Sequence, residues 1–159
     1  WQLATPQLDF VQPKRFGLTY LAEDGTEKTP VMIHFALMGS LERFLSVYIE
    51  HTEGKFPLWL APVQVMFIPI ADRHIQSARH LQEILLQSGI RVSLDDRSER
   101  MQAKVRDATL QKVPFMAIIG DKEVTNGEIS VRSREGENLG SLTAAQFLGK
   151  LQKDIETKR

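Results

Sequence analysis

Apolar residues recur at Leu41, Phe44, Leu45, Tyr48 and Ile49, while Glu42, Arg43, Ser46 and Glu50 fall between them. That i, i+3, i+4, i+7, i+8 spacing predicts an amphipathic helix running from Ser40 to about Glu50 or His51, with Arg43 turned away from the stripe that packs. The run Met32 to Gly39 leads into it as a strand. Ahead of it, Trp1 to Phe10 alternates as a strand, with Leu3, Thr5, Gln7 and Asp9 on one face and Gln2, Leu8 and Phe10 on the other. Pro6 suits an edge position or a bulge. Phe16 to Ala22 and Thr29 to Ile33 read as two strands joined through the hairpin signal Asp24-Gly25. A hairpin and one helix cannot close a core, so this part calls for a sheet supplied elsewhere.

Beyond Pro62 the pattern changes. Val63 to Ile70 is nearly continuous apolar sequence, as a strand covered on both faces requires. Asp72 is placed to cap a helix whose stripe is Ile75, Ala78, Leu81 and Leu85, with Gly89 as its left-handed stop. Ile90 to Leu94 is a further strand, Ser98 to about Gln111 a polar helix, and Phe115 to Ile119 another buried strand. Asn126-Gly127 then turns the chain into an antiparallel strand from Glu128 to Arg134. Thr143 opens the last helix with a capping box to Gln146 and a staple between Leu142 and Phe147. The order β-α-β-α-β-β-α predicts an α/β unit: a mixed, mostly parallel sheet flanked by helices. Prolines 57 and 62 frame the expected division into residues 1–58 and 59–159.

Composition narrows this picture little. Twenty basic side chains balance twenty acidic ones across 159 residues, so any nucleic-acid surface must be a local patch. There is no cysteine, which removes thiolate and disulfide chemistry. No stretch approaches the roughly 20 apolar residues that span a bilayer, so no membrane partner is expected. The chain opens at Trp1 without a charged-then-apolar leader.

Candidate chemistry gathers in two places. In the first part, Thr5 and Gln7 share a strand face and can serve one pocket, whereas Gln2 lies on the other face by strict alternation, unless Pro6 or a bulge reorients the strand. His34 ends a strand and offers one imidazole. Arg43 offers a planar, permanent charge on a firm element. In the second part, ligands of such sheets sit beyond the strand carboxyl ends, here Ala71-Asp72, Asp95 to Arg97 and Gly120 to Glu123. Arg97, Arg100 and Lys104 form a basic stripe at i, i+3, i+7, and Arg132 and Arg134 share a strand face near Glu123. Arginines and a carboxylate together offer base-edge bonding as well as phosphate neutralisation.

Several stretches carry a resemblance: Gln7-Leu8-Asp9-Phe10, Pro30-Val31-Met32-Ile33-His34, Gly39-Ser40-Leu41-Glu42-Arg43-Phe44, Phe56 to Val65, and Gly120-Asp121-Lys122-Glu123. They resemble the threonyl-tRNA synthetases, class II enzymes. The resemblance implies that the first part is the end of a class II catalytic domain, an antiparallel sheet fragment with its motif 3 helix. The rest would be an anticodon-binding domain.

By the same resemblance the full enzyme activates threonine with ATP and magnesium and charges its tRNA, tRNA(Thr). Arg43 would meet adenine and phosphate, with Gln2 and Thr5 near the nucleotide and Gln7 and Ser40 near threonine. His34 would be one of three zinc ligands, the others lying outside these residues. The first two class II motifs also lie outside, so the segment alone is expected not to form the adenylate. Glu123 and Arg132 would touch anticodon bases. A cytoplasmic homodimer is implied as well.

The chain departs from the family's pattern at Leu3-Ala4, Pro6, Phe35 and Ser98. A stand-alone RNA-binding module with a non-catalytic synthetase remnant, or an accessory dimerisation subunit, are the alternatives.

Overall fold

The computed structural model describes Trp1 through Lys158. The chain divides into two compact units, Trp1–His51 and Thr52–Arg159. That division lies ahead of the one expected after Leu58, and hydrogen bonding explains why. The buried Gln64 side chain donates to the Leu58 carbonyl (2.9 Å) and accepts from the Arg91 amide (2.8 Å). Arg91 in turn donates to the carbonyls of Ala61 and Trp59 (both 2.9 Å). Leu58 itself joins the core of the second unit. Proline punctuation thus marks a loop that is sewn into a domain, not the domain's edge.

In the first unit, β1 (Thr5–Asp9) pairs antiparallel with β4 (Met32–Ala36), and the short β2 (Tyr20–Leu21) pairs with β3 (Glu27–Lys28). Between β1 and β2 lies one turn of helix, α1 (Gln12–Arg15), and of the strand expected from Phe16 to Ala22 only Tyr20–Leu21 forms. The Asp24-Gly25 turn forms as predicted: Gly25 takes φ +73° and Asp24 accepts from the Thr26 amide (3.1 Å). Helix α2 (Leu41–Thr52) is capped by Ser40, whose hydroxyl accepts from the Arg43 amide (3.3 Å). Its apolar stripe, however, stays open. Leu41, Leu45 and Ile49 are exposed, as are Leu8, Ile33 and Phe35 of the hairpin. Two paired strands and a helix do not supply two layers with which to cover them.

The second unit holds a five-stranded sheet in the order β6-β5-β7-β8-β9. Its elements are β5 (Val65–Pro69), α3 (Ile75–Gln87) after a 3-10 turn at Asp72–His74, β6 (Val92–Leu94), α4 (Met101–Leu110), β7 (Phe115–Ile119), α5 (Asp121–Asn126), β8 (Glu128–Ser133), β9 (Asn138–Thr143) and α6 (Ala144–Glu156). Strands β6, β5 and β7 run parallel, and β8 and β9 add antiparallel. The mixed, mostly parallel α/β sheet is therefore the one the sequence predicts.

Two elements were not foreseen, α5 and β9. Helix α4 begins at Met101 and not at Ser98, because Arg100 has extended backbone (φ −62°, ψ 139°). The Thr143 capping box forms in full, with Gln146 Oε1 accepting from the Thr143 amide (2.9 Å) and Thr143 Oγ1 from the Gln146 amide (3.3 Å).

The two sheet faces bury different sets. Val65, Phe67, Ala117, Ile119, Ile129 and Val131 pack under Ala78 and Leu85 of α3 and Phe147 and Leu151 of α6. Met66, Ile68, Met116 and Ile118 pack under Ala108, with Met101 and Val105, of α4. Each large apolar side chain fully buried in this way contributes about 1.5–3 kcal/mol. Among the described residues, α4 is the helix that packs on the second face, over β5 and β7.

Candidate functional site

In the first unit the β1–β4 register places Gln7 opposite His34, Thr5 opposite Ala36 and Asp9 opposite Met32. Thr5, Gln7 and Asp9 share one face, as alternation predicts, and the register adds His34 to it. His34 Nε2 lies 3.0 Å from Asp9 Oδ2. Asp9 is itself fixed, because its Oδ1 accepts from the amides of Val11 (2.8 Å) and Gln12 (2.9 Å). Those amides, the Gln12 amide first, together with His34 hold its carboxyl below the usual carboxylate range. A carboxylate only accepts, so Nε2 carries the hydrogen and the neutral ring keeps its lone pair on Nδ1. Metal-bound histidines are held in this way, by a carboxylate on the other ring nitrogen. Among the described residues, no three His, Cys, Asp or Glu side chains gather into a metal-holding group. The ring held by Asp9 offers one nitrogen donor, Nδ1.

Gln2 does not lie on the opposite face from Thr5. Strand β1 starts only at Thr5, so strict alternation does not reach Gln2, and its Nε2 donates to Thr5 Oγ1 (3.2 Å). Arg43 Nη1 donates to the Gln2 carbonyl (3.3 Å). The structure thereby brings Gln2, Thr5 and Arg43 together. Ser40, expected near an amino-acid substrate, bonds Glu42 Oε2 (2.9 Å) and caps α2. Gly39 makes this approach possible: it sits at φ +60°, and a Cβ there would stand 3.1 Å from the Leu3 carbonyl oxygen.

In the second unit, the three expected segments do lie at the carboxyl ends of β5, β6 and β7. They are tied by charge. Arg73 grips Asp121 with two hydrogen bonds (Nε–Oδ1 2.9 Å, Nη2–Oδ2 2.6 Å), and His74 Nε2 reaches Asp121 Oδ1 at 2.9 Å. Arg73, then His74, pulls the Asp121 carboxyl far below its ordinary value. Glu123 Oε2 accepts from the Gly120 amide (2.9 Å) and so closes the first turn of α5.

The expected basic stripe does not exist as one surface. Arg97 is neutralised by Asp95 (2.9 and 2.7 Å) and Asp107 (2.8 Å), and Lys104 is buried, donating to the carbonyls of Pro69 (3.2 Å) and Asp95 (3.1 Å). Arg97 stays exposed but is paired, and Arg100 is exposed at the start of α4. Arg132 and Arg134 do share a strand parity, but they do different things. Arg134 Nη1 donates to the Phe56 carbonyl (2.7 Å) and its Nε to Glu135 (2.9 Å). Arg132 stands opposite Met116, on the face that α4 covers only over β5 and β7.

Beside α4, that face of β8 and β9 is a polar shelf. Register places Glu128, Ser130 and Arg132 on it, paired with Thr143, Ser141 and Asn138. Glu123 and Arg132 are not adjacent: Arg132 faces the second residue of β7, whereas Glu123 lies past the strand's end. The two residues are thus separated by most of the strand's length. Ser98 precedes α4 in the exposed loop at the carboxyl end of β6. Sequence reasoning missed the shelf because β9, with its Gly140 at φ +81° and a bulge at Val131/Arg132, hides its alternation.

Comparison with known proteins agrees with this geometry. The family described as "Anticodon binding domain" matches residues 64–154, and "tRNA synthetase class II core domain (G, H, P, S and T)" matches residues 1–52. The threonine–tRNA ligase of Natranaerobius thermophilus is 50% identical over 156 residues, covering 98% of this chain and 24% of the relative. That of Acidobacterium capsulatum is 52% identical over 158 residues, covering 99% and 23%. Among solved structures, the RNA binding domain of threonyl-tRNA synthetase from Cryptosporidium parvum Iowa II superposes with a TM-score of 0.87 at 33% identity, covering 96% of this chain and 39% of that one. The chain spans about a quarter of the length of these curated relatives. The match over residues 64–154, more than half of the chain, gives the assignment: the chain belongs to the anticodon binding domain family, and residues 1–52 ahead of that domain match the class II tRNA synthetase core.

Proposed function

We propose that this chain is the tRNA-recognising part of a threonine–tRNA ligase, with Glu123 and Arg132 reading anticodon bases. The observation that carries the reading is the near-complete coverage of the chain at about 50% identity to threonine–tRNA ligases. The shelf supports it chemically. A carboxylate accepts from a base amino or imino group, and a guanidinium donates to base edges and phosphates.

In the first unit, Arg43 with Gln2 and Thr5 would hold ATP and its magnesium. Gln7 would face threonine; Ser40, near it, acts by fixing the start of α2. His34, steadied by Asp9, would hold zinc, which when bound orients the amino and hydroxyl groups of threonine. A site built to bond that hydroxyl rejects an isosteric apolar side chain strongly, because its own polar groups would be left unpaired. Assembly as a homodimer and a cytoplasmic setting belong to the same proposal.

A remnant that had lost its catalytic role is the less favoured reading. Phe35, the departure that suggests it, is on the face opposite His34 and Gln7 and leaves the polar face intact. The test is binding of the chain to transcripts of tRNA(Thr) that differ only in the anticodon. Glu123→Ala and Arg132→Ala are expected to lose the preference for the threonine anticodon. Equal loss for all tRNAs in Arg132→Ala would make that residue a phosphate contact and not a base reader.

A further inference from the structure

Helix α5 has six residues, too few to hold its own orientation. What fixes it is its first residue. Asp121 receives both Arg73 hydrogen bonds and one from His74. His74 is buried, and its Nδ1 accepts from the Ala71 amide (3.2 Å). The neutral ring with hydrogen on Nε2 satisfies both contacts, and so Asp121 is bolted to the segment that leaves β5.

Two residues on, Glu123 shares the same frame. Its Oε2 is taken by the Gly120 amide, while Oε1 has no hydrogen bond among the described residues. Gly120 is packed tightly: a Cβ there would meet Ile70 Cδ1 at 2.7 Å and Glu123 Oε2 at 3.1 Å. The Glu123 carboxylate is thereby tied to the backbone at the start of α5.

We infer that Asp121 is a positioning residue for anticodon discrimination, holding the start of α5 against Arg73 and His74 so that the free oxygen of Glu123 meets the base at a fixed place. This rests on the reading of Glu123 as a base contact. A carboxylate selects among bases only if its direction is fixed, since one that swings freely accepts from any donor in reach.

The test compares wild type, Asp121→Asn, Glu123→Gln and the double variant of the 159-residue chain, binding two tRNAs that differ only in the anticodon. Asp121 is 71% exposed, and asparagine is its isostere, so the fold tolerates the change. The wild-type preference is expected to fall about tenfold in Asp121→Asn, with affinity for the mismatched tRNA within about twofold of wild type. The double variant is expected to match Glu123→Gln, because the two residues act as one unit. Hydrogen exchange at the Gly120 amide is expected to quicken in Asp121→Asn. A preference retained by Asp121→Asn, or unchanged Gly120 exchange, overturns the inference while leaving the role of Glu123 standing. A preference absent from wild type, or surviving Glu123→Gln, refutes the base-reading role itself.

Discussion

Pro6 stands directly opposite Phe35 in the β1–β4 ladder. Two of the positions at which this chain departs from its family's pattern are thus cross-strand neighbours, on the face that carries Leu8 and Ile33 and away from His34. Phe35→Arg is accordingly expected to leave the polar face alone. Thermal unfolding should change by no more than about 0.5 kcal/mol, as for other exposed positions. The His34 ring resonances should stay in place, and a shift comparable to that caused by Asp9→Ala would show that the two faces are coupled.

Gly39→Ala meets two obstacles at once, a left-handed backbone and the Leu3 carbonyl oxygen at 3.1 Å. Denaturant unfolding should show a loss of about 1–2 kcal/mol. A neutral result would mean that the Ser40 cap does not depend on this close approach.

Lys104→Met removes the donor that joins the Pro69 and Asp95 carbonyls. Leaving buried acceptors unpaired costs about 1–3 kcal/mol, partly offset by removing a buried charge. The urea midpoint should fall with an unchanged slope.

Arg132→Ala and Arg134→Ala should separate binding from stability. Arg134 donates to the Phe56 carbonyl, and its loss is expected to cost about 1–3 kcal/mol of unfolding free energy. Arg132→Ala is expected to leave the unfolding midpoint unchanged and to lose the preference for the threonine anticodon.

Acid should loosen the carboxyl end of the sheet. The Asp121 and Asp95 carboxyls are held below the ordinary carboxylate value in the folded state, by Arg73 and Arg97 respectively. Their contribution is complete above the unfolded value and is lost as pH falls through the lower folded values. Stability traced from pH 7 downward should therefore be flat with respect to these groups until about pH 4 and then decline. In Asp121→Asn the decline should be smaller, and equal slopes would show that the Arg73 pair is worth nothing in solution.

How much of this was legible in the sequence varied with the strength of each local signal. Phe115 to Ile119 was bounded correctly because an apolar run between Pro114 and Gly120 has one reading. The α6 cap was equally plain, since Thr143 and Gln146 satisfy each other within one turn. Helix α5 escaped notice because six residues carry no period, although Gly120 and Glu123 stand at capping-box spacing. Strand β9 escaped because its polar residues face the shelf and its glycine bends the ladder.

Sequence alone determined the order of the major elements, the buried stripe of α3, and the common face of Thr5 and Gln7. These follow from periods of 2 and 3.6, which the chain fixes locally. Tertiary structure alone decided which charges are free. Arg73 and Asp121 lie 48 residues apart, and Arg97 meets Asp107 only when α4 packs. Lys104 looked like surface and became a buried tie. Ion pairing depends on distances of a few ångströms that no local period encodes, so the stripe read from spacing dissolved, and Arg132 on its shelf remained.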